Sequence, residues 1–318
     1  MDTRRLLAFV KIVDTGSLTR AADILHIAQP ALSQQVAALE AQFEQRLLIR
    51  SQHGVAPTEA GRALYRHAQL ILRQVEQAQS DVSKSGRVVS GLVSIGLAPY
   101  STGAMLALPL LQLVRQRCPD IVLHINENFG GVISEMVMTG RMDLALIYDS
   151  GPIRGVRFEP MFTETLFAVT PSDLALPGAT TDTVPLRALR DLELLLPSRI
   201  HTIRKIVDAS FERIRVKPRV IAEIESVASL AQAIRAGIGA TILPWSSASG
   251  IASTAGLALR HVTSPAIELK ISLCTSDHLP MSDPALAVQD LVFELIANSP
   301  ELRQAGGIKR TMAPRPQR

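Results

Sequence analysis

The stretch "HIAQPALSQQVAALE", residues 26–40, decides the interpretation of this chain, because its helical faces differ in chemistry. An α-helix turns by about 100° per residue, so residues three and four apart share a face. One narrow stripe is apolar and is predicted to face a core: Leu32, Val36, Leu39 and Phe43. A second face holds small or uncharged hydrogen-bonding residues: Pro30, Ser33, Gln34, Ala37 and Ala41. Exposed helix faces usually carry Lys and Glu, so this uncharged face is expected to touch a partner.

The residues before this stretch predict two further helices. Residues 4–14 have helical apolar spacing and end near Gly16, and Ser17 stands where an N-cap belongs before a second short helix. After a break at 27–29, Pro30 lies in the first turn of the third helix, where its missing N–H costs nothing. Three short helices so close together predict a helix-turn-helix.

The stretch that follows predicts a wing and a long helix. In "RLLIRSQHGVAPTEAG", residues 46–61, a β-like run at 47–49 precedes a turn at His53, and Thr58 would cap the helix. That helix carries apolar or small residues at alternating spacings of three and four: Gly61, Leu64, Ala68, Ile71, Val75, Ala78 and Val82. Such a heptad seam predicts a dimer through residues 58–89. The alternative is that the stripe packs back on its own domain.

Length and charge favour a globular protein of several domains. The chain has 318 residues, too many for one compact core, and 47% of them are hydrophobic and 19% charged. The net charge is +4, but the last 18 residues carry 5 Lys and Arg against 1 Glu. Because over half of the excess basic charge lies in that tail, net charge is weak evidence of a nucleic-acid partner.

Several classes of protein are disfavoured by the sequence. Lys11 and Asp14 interrupt the N-terminal apolar run, and no run approaches about 18 apolar residues, so we expect a cytoplasmic protein without signal peptide or membrane span. Cys118 and Cys274 lack metal or redox spacing and are expected to be reduced thiols, with a redox pair as the alternative. The histidines lack metal-binding spacing, and no nucleophile elbow or Walker motif occurs. No enzyme, metal or cofactor is therefore predicted.

Beyond residue 90, apolar β-like runs alternate with helical ones, which predicts an α/β region of two small doubly wound halves. The predicted strands are 92–97, 121–127, 144–148, 166–170, 194–196, 220–224, 240–243 and 269–275. The predicted helices are 102–117, 130–139, 202–214, 226–236 and 284–298. The fold class is α/β overall, with an N-terminal all-α winged helix-turn-helix and a long linker helix. Residues 301–318 are predicted to be a disordered basic tail.

Residues 6–68, "LLAFVKIVDTGSLTRAADILHIAQPALSQQVAALEAQFEQRLLIRSQHGVAPTEAGRALYRHA", resemble the LysR-type transcriptional regulators over an unbroken stretch. The stretches "MTGRMDLALIY" at 138–148 and "AIRAGIGATILP" at 233–244 are similar to the effector domain of that family. Within the family, "FVKIVDTGSL", "LHIAQPALSQQVAALE", "LLIR" and "ILRQVEQAQ" are similar to regulators of nitrogen assimilation. Regulators of aromatic-acid catabolism also share "IAQP".

The resemblance implies a winged helix-turn-helix, a dimerising linker helix and a two-lobed effector domain resembling periplasmic binding proteins. The implied divisions are a DNA-binding domain at 1–58, a linker at 59–89, an effector domain at 91–300 (lobe I 91–162 and 269–300, lobe II 163–268) and a tail at 301–318. Dimers of this family pair into tetramers on double-stranded promoter DNA, and RNA polymerase is a further candidate partner. Resemblance to most members implies control by a small-molecule co-effector, whose identity is unknown here. Resemblance to the nitrogen regulators implies control by protein abundance alone.

The uncharged helix face suits a DNA reader, because small or hydrogen-bonding side chains allow close approach to base edges in the major groove. Gln29, Ser33 and Gln34 are predicted to bond base edges, with Pro30 and Ala37 as apolar neighbours. The residues predicted to contact phosphates are Arg4, Arg5, Ser17, Thr19, Arg20, Arg50 and His53. Arg50 is also a candidate for a narrowed minor groove. The alternative for each is an ordinary solvated group. Ala28 stands where many relatives carry a hydroxyl cap.

Candidate effector contacts lie at predicted helix starts of the α/β region: Ser101, Thr102, Ser198, Thr202 and Ser226. Helix N-termini favour anions, and a ligand would bind between the two lobes. The alternative is that these hydroxyls are N-caps. Gly237 follows a helix and is predicted to be its C-cap, and Trp245 is expected to pack within a lobe, with a ligand wall as the alternative.

The sequence leaves functions of three classes to compare. The first is a DNA-binding regulator of nitrogen-assimilation or related metabolic genes, with a metabolite-gated regulator of small organic-acid or aromatic catabolism as the alternative within the family. A transport-type small-molecule binding protein would fit the α/β half alone, but the helix-turn-helix and the missing signal peptide argue against it. An enzyme would need a convergent acid, base or nucleophile, and none is indicated.

Overall fold

The computed structural model describes residues 2–51, 54–83, 89–253, 256–299, 302 and 307–311. The chain forms two compact units, one comprising residues 1–88 with 139–141 and the other the rest of the chain from residue 89. The first unit is mostly helical and the second is an α/β domain.

The first unit contains the predicted helix-turn-helix. Its elements are α1 (Thr3–Thr15), α2 (Leu18–Leu25), α3 (Gln29–Phe43), β1 (Leu48–Ser51), β2 (Gly54–Pro57) and α4 (Glu59–Ser83). The Ser17 hydroxyl accepts a hydrogen bond from the Arg20 N–H and caps α2 as predicted. Ala28 gives α3 no side-chain cap, and Pro30 lies in its first turn.

The apolar stripe of α3 faces the core of the first unit, with one exception. Leu32, Val36 and Leu39 are at most 1% exposed and pack with apolar residues of α1 and α2. Phe43 is 40% exposed, so its predicted place in the buried stripe is wrong. The reason is that Phe43 is the last residue of α3, and Glu44 turns the chain away with a positive φ of 51°.

The wing is a two-stranded antiparallel ribbon held by backbone contacts. The Val55 N–H donates to the Gly16 carbonyl oxygen at 2.9 Å, which fixes β2 against the end of α1. The Thr58 hydroxyl donates to the Arg46 carbonyl at 2.7 Å and accepts from the Gly61 N–H at 2.9 Å, so it caps α4 as predicted. A Cβ atom at Gly61 would lie 2.0 Å from the carbonyl oxygen of Leu47, so only glycine fits there.

The first half of the heptad stripe on α4 packs on its own domain. Ala68 is fully buried, and Leu64 and Ile71 are half-buried against the core of the first unit. The alternative of packing back is therefore correct for this half. Further along, Val75 is half-buried and Ala78 exposed, while the side chain of Val82 lies outside the described residues.

The second unit alternates strands and helices. Its elements, in order, are β3 (Gly91–Leu97), α5 (Thr102–Met105), α6 (Ala107–Arg117), β4 (Ile121–Glu127), α7 (Gly130–Met138), β5 (Leu144–Tyr148), β6 (Val156–Pro171), β7 (Thr183–Pro185), a 3₁₀ turn (Leu186–Leu189), β8 (Glu193–Leu196), α8 (Thr202–Arg213), β9 (Arg219–Glu223), α9 (Val227–Arg235), β10 (Thr241–Pro244), α10 (Trp245–Ala252), β11 (Leu257–Thr263), β12 (Glu268–Ser276), α11 (Asp283–Asn298) and β13 (Ile308–Arg310).

One long strand joins two lobes. The main sheet has the order β4-β3-β5-β12-β6-β11-β7, and β10 and β13 also pair with β6. Residues 156–165 of β6 pair with β12, and residues 166–171 pair with β10 and β11. Lobe I is built around β3–β5, and lobe II around β7–β11. The second unit is therefore two-lobed, with β6 and the β11–β12 connection as the two crossovers.

Some predicted boundaries in the second unit are wrong. The predicted strand 166–170 is only the last part of β6, whose first part contains Pro160 at a register irregularity that hides the strand pattern. The predicted helix 102–117 is interrupted at Leu106 between α5 and α6. β7, α10 and β11 were not predicted, because their short or mixed polar segments lack a clear period.

The predicted disorder of the tail is wrong for the residues that the structure describes there. Leu302 is 3% exposed, and Ile308–Arg310 form β13 against β6. The prediction failed because it used composition alone. A three-residue strand can form wherever a sheet edge offers free backbone groups, whatever its composition. The other residues of 301–318, apart from Gly307 and Thr311, lie outside the described part of the chain.

Replacing Gly61 with alanine is expected to destabilise the first unit by about 1–3 kcal/mol, because the new Cβ would collide with the Leu47 carbonyl. Urea unfolding of the full-length protein measures this loss. Gly130→Ala is the matched control, since Gly130 also lies at the start of a helix and a Cβ there meets nothing within 4 Å. Equal losses in both variants would contradict the close approach at Gly61.

Candidate nucleic-acid interface and interlobe cleft

The uncharged face of α3 is on the surface, where the sequence places it. Gln29, Pro30, Gln34 and Ala37 are exposed, and Ser33 is half-buried. Because the opposite stripe is held in the core, the orientation of this face is fixed by burial. Four exposed residues and the half-buried Ser33 therefore share one face of small and hydrogen-bonding groups, as base reading in a major groove requires.

The position of the wing relative to α3 depends on a residue that the sequence did not single out. The Glu40 carboxylate, on α3, accepts hydrogen bonds from the backbone N–H groups of Leu47 (2.8 Å) and Leu48 (3.2 Å) at the start of the wing. Leaving such N–H groups unpaired would cost about 1–3 kcal/mol each. In the sequence Glu40 looks like any surface charge, so no pattern could have revealed this role.

The described residues among the predicted phosphate contacts lie on α1, at the start of α2 and on β1. Arg4, Thr19, Arg20 and Arg50 are exposed, and Arg5 is half-buried. Among the described residues, Arg4, Arg20 and Arg50 make no ion pair, so their charge is directed to solvent or a partner. The Ser17 hydroxyl is engaged as a helix cap. His53 lies outside the described residues.

Tyr100 bridges the two lobes of the second unit. Its hydroxyl donates to the Ile224 carbonyl oxygen of lobe II at 2.9 Å, and its own carbonyl accepts from the Ser247 hydroxyl at 2.9 Å. Tyr100 has a positive φ of 61°, a strained conformation for an aromatic residue. Burial raises its pKa well above the usual value, with a smaller contribution from Glu225, so it acts as a neutral donor.

His201 fills the space beside Tyr100. Its Nδ1 accepts from the Ile203 N–H at 3.3 Å, which caps α8 and leaves the proton on Nε2. The ring packs edgewise on Tyr100 and Phe129, with centroids 5.6 and 5.8 Å apart. Burial lowers the pKa of His201 to about 4, against the opposing charge of Glu225. Its buried Nε2 has no hydrogen-bond partner among the described residues.

Capping accounts for part of the predicted effector set. Ser101 is buried and caps α5, and Ser226 is exposed and caps α9. Thr202 begins α8, but His201 is the cap there. The Ser198 hydroxyl is buried, with no partner among the described residues. Of the five predicted effector residues, Ser101 lines the cavity between the lobes, beside Tyr100 and Ser247, whereas the other four do not. The sequence missed Tyr100, Phe129 and His201.

A buried carboxyl group lies on the crossover strand. Glu164 of β6 is 1% exposed, accepts from the Tyr148 hydroxyl at 2.5 Å and accepts from the Thr102 N–H at 3.2 Å. Burial raises the pKa of Glu164 to about 7, although both hydrogen bonds oppose the shift. Thr102 is thus a positioning contact between α5 and β6, and it is fully buried.

Other predicted features are structural. Gly237 follows α9 with a φ of 74° and its N–H donates to the Ile234 carbonyl, as expected of a helix-ending glycine. Trp245 is half-buried and packs against the core of the second unit. Cys118 and Cys274 are free thiols. Within the described ranges no cluster of three His, Cys, Asp or Glu could hold a metal ion, and no helix is long and apolar enough to cross a membrane.

Two family models match this architecture. Residues 3–62 match the model described as "Bacterial regulatory helix-turn-helix protein, lysR family", and residues 86–296 match "LysR substrate binding domain". The chain belongs to the LysR family of transcriptional regulators. LysR-family regulators bind promoter DNA, so the first unit is the DNA-binding part, and the two-lobed second unit is the effector domain.

Two relatives are similar over nearly their whole length. The "Nitrogen assimilation regulatory protein nac" of Escherichia coli (strain K12) is 44% identical over 94% of this chain and 96% of that protein. The protein of the same name from Klebsiella aerogenes is 42% identical over 93% of this chain and 96% of that protein. The resemblance to nitrogen regulators within the LysR family is therefore confirmed.

Solved LysR-family structures share the fold. A full-length OxyR variant from Pseudomonas aeruginosa has a TM-score of 0.73 at 23% identity, covering 92% of this chain and 98% of that one. Full-length CbnR complexed with its target DNA has a TM-score of 0.65 at 22% identity, covering 93% of this chain and 100% of that one. The predicted fold class is confirmed.

The neutral, buried state of His201 predicts a pH dependence. Its pKa is about 4 in the fold against an ordinary 6.5, so between these values the unfolded chain binds a proton that the folded chain does not. The free energy of unfolding therefore decreases as the pH falls from 6.5 to about 4. The full contribution of His201 is about 3 kcal/mol. We expect wild type to lose this much relative to His201→Gln in urea unfolding across that range. His67→Gln, which removes an exposed imidazole, should follow wild type. If the free energy of unfolding of wild type and of His201→Gln differed by the same amount at every pH, the buried, neutral state of His201 would be contradicted.

Proposed function

We propose that this LysR-family protein regulates nitrogen-assimilation or related metabolic genes. The proposal is supported by two relatives named as nitrogen assimilation regulatory proteins that align over more than nine-tenths of both chains. The observation that carries the DNA-reading part is the exposed, uncharged face of α3, oriented by its buried stripe.

Within the interface, Gln29, Ser33 and Gln34 read base edges, and Pro30 and Ala37 lie against thymine methyl groups. The amides of Gln29 and Gln34 are exposed and can bond adenine bidentately. The residues that contact phosphates and fix the register are Arg4, Arg5, Ser17, Thr19, Arg20, Arg50 and His53. Glu40 acts on DNA only indirectly, by holding the wing that carries Arg50.

The regulator dimerises through 58–89, and two dimers form a tetramer on promoter DNA. Because Leu64, Ala68 and Ile71 are engaged in the first unit, the dimer seam uses the later part of α4, where Val75 and Ala78 continue the heptad. Two copies would place two α3 helices on neighbouring half-sites. RNA polymerase is the candidate partner at such a promoter.

Regulation in this proposal depends on protein abundance and not on a bound metabolite. His201 packs on Tyr100 and Phe129 and fills part of the space between the lobes. Beside Tyr100 a cavity of about 520 Å³ remains, lined from lobe I by Ser101 and Met105 and from lobe II by Val227, Ala231 and Ser247. The second candidate, gating by a small organic acid, is favoured by one observation. The buried Nε2 of His201 and the hydroxyl of Ser198 lack partners among the described residues, and a small acid could accept from both.

Substitutions on α3 should separate base reading from phosphate binding. Gln29→Ala or Ser33→Ala is expected to reduce discrimination for the cognate operator over random DNA by about 1–3 kcal/mol, since a base contact is lost. Arg50→Ala should weaken binding to both DNAs and lower the salt slope by about one. Fluorescence anisotropy with both duplexes at several salt concentrations measures these effects.

The matched control for this series is Gln42→Ala. Gln42 is an exposed glutamine on the same helix, but it lies outside the uncharged face. Its substitution should leave affinity and specificity unchanged. An equal loss on operator and random DNA in Gln29→Ala would remove Gln29 from base reading.

Control by abundance predicts that effectors do not alter DNA binding. Operator protection by the purified protein, with and without nitrogen compounds and small organic acids, should show the same footprint, affinity and transcription across the panel. A metabolite that shifts the footprint would favour the gated alternative, and His201→Gln should then abolish its effect. A protein that protects no nitrogen-regulated promoter under any condition would contradict the proposed targets.

A further inference from the structure

A short strand near the C-terminus, β13, pairs with the crossover strand β6. Ile308–Arg310 run antiparallel to Phe162–Glu164. Two further backbone hydrogen bonds, both 3.0 Å, extend the pairing at its ends: Thr165 N–H to the Gly307 oxygen, and Thr311 N–H to the Met161 oxygen. We call residues 307–311 the C-terminal strap. It bonds along the stretch 161–165 of β6.

The strap lies where β6 passes from one lobe to the other. β6 pairs with β12 up to Thr165 and with β10 and β11 from Leu166 onward. Over residues 162–164 one edge of β6 is covered by β12, so the strap covers the opposite edge. Without the strap, this part of β6 would expose unpaired N–H and C=O groups. A strand that is paired on one edge only also bends more easily.

The strap is anchored at this changeover and to lobe I. Gly307 lies flat on β6 with a φ of 76°, and a Cβ there would lie 1.9 Å from the Thr165 hydroxyl and 3.1 Å from the Phe167 ring. The Arg310 guanidinium donates to the Ala297 carbonyl oxygen at 2.6 Å, at the end of α11. The pair between Lys309 and Glu268 is exposed and contributes little.

We propose that the C-terminal strap is a clamp on the hinge of the effector domain. Bound to β6, it holds the two lobes in the arrangement in which Tyr100 reaches Ile224; released, it allows the lobes to shift. Release is feasible because a three-residue ladder with solvent-exposed residues belongs to the least stable part of a fold. The proposal rests on the two-lobed fold and on DNA binding by the protein, and not on which genes it controls.

The test compares two C-terminally shortened forms of the protein by amide hydrogen exchange. A chain ending at Gly306 lacks the strap, whereas a chain ending at Thr311 keeps it and is the matched control. In the first, peptides covering 160–169 and 98–105 should exchange about tenfold faster or more, because the Thr165 N–H loses its acceptor and the interlobe contacts loosen. The second should exchange as wild type does.

A point substitution repeats the test without shortening the chain. Gly307→Ala introduces a Cβ that collides with Thr165, whereas Gly256→Ala is its control. Gly256 also has a positive φ, 86°, but a Cβ there meets nothing within 4 Å, so both variants carry the same kind of backbone strain. Only Gly307→Ala should accelerate exchange in 160–169 and 98–105.

Each outcome decides the proposal. Unchanged exchange at 160–169 in the chain ending at Gly306 would show that the strap is not bound in solution and would overturn the proposal. Faster exchange at 160–169 with unchanged exchange at 98–105 would make the strap a local strand and overturn its role as a hinge clamp. A changed operator footprint together with both exchange effects would support control through the hinge. A wild-type protein that protects no promoter would count against the proposed function, while the exchange results would still decide the clamp.

Discussion

The burial of one narrow stripe of α3 is the constraint that orients the surface we propose reads DNA. Leu32, Val36 and Leu39 are almost completely inaccessible, and burying each such side chain contributes about 1.5–3 kcal/mol. Rotating α3 to present another face would expose all three at once. The uncharged face is therefore fixed outward by the core, without any side-chain cap at Ala28.

A second constraint, the continuity of β6, governs the effector domain. One strand of 16 residues belongs to both lobes, so the lobes can move only by bending β6 and the β11–β12 connection. The groups around this hinge are specialised. Glu164 is buried with Tyr148, and Tyr100 reaches across to Ile224 from a strained backbone. A strained residue persists only where its surroundings over-determine it, and here hydrogen bonds to Ile224 and Ser247 hold Tyr100.

Local signals were predictable from the sequence, and long-range ones were not. Ser17 and Thr58 cap helices as predicted, because a cap depends on residues within one turn. Tyr100 and His201 escaped prediction because their roles arise from contacts across more than 100 residues, such as Tyr100 with Ile224. Phe43 was predicted to be buried because it fits the helical period, but the period does not show where the helix ends. The first part of β6 and the strand β13 were missed because a strand that is defined by its partner needs no alternation of its own.

The two units are stabilised in different ways, and the difference suits their tasks. In the first unit, a buried apolar core holds the helices together, and bonds from Glu40 and Thr58 to the backbone join α3 to the wing and the wing to α4. Between the lobes, the polar contacts include the hydroxyls of Tyr100 and Ser247, and each hydrogen bond contributes only about 1 kcal/mol. Since about 1.4 kcal/mol changes an equilibrium constant tenfold, the loss of one or two such contacts would shift an equilibrium between lobe arrangements by about that factor. A change between the lobes would leave the residues on the exposed face of α3 unchanged, so control by abundance and gating through the lobes both use the base-reading residues that we propose.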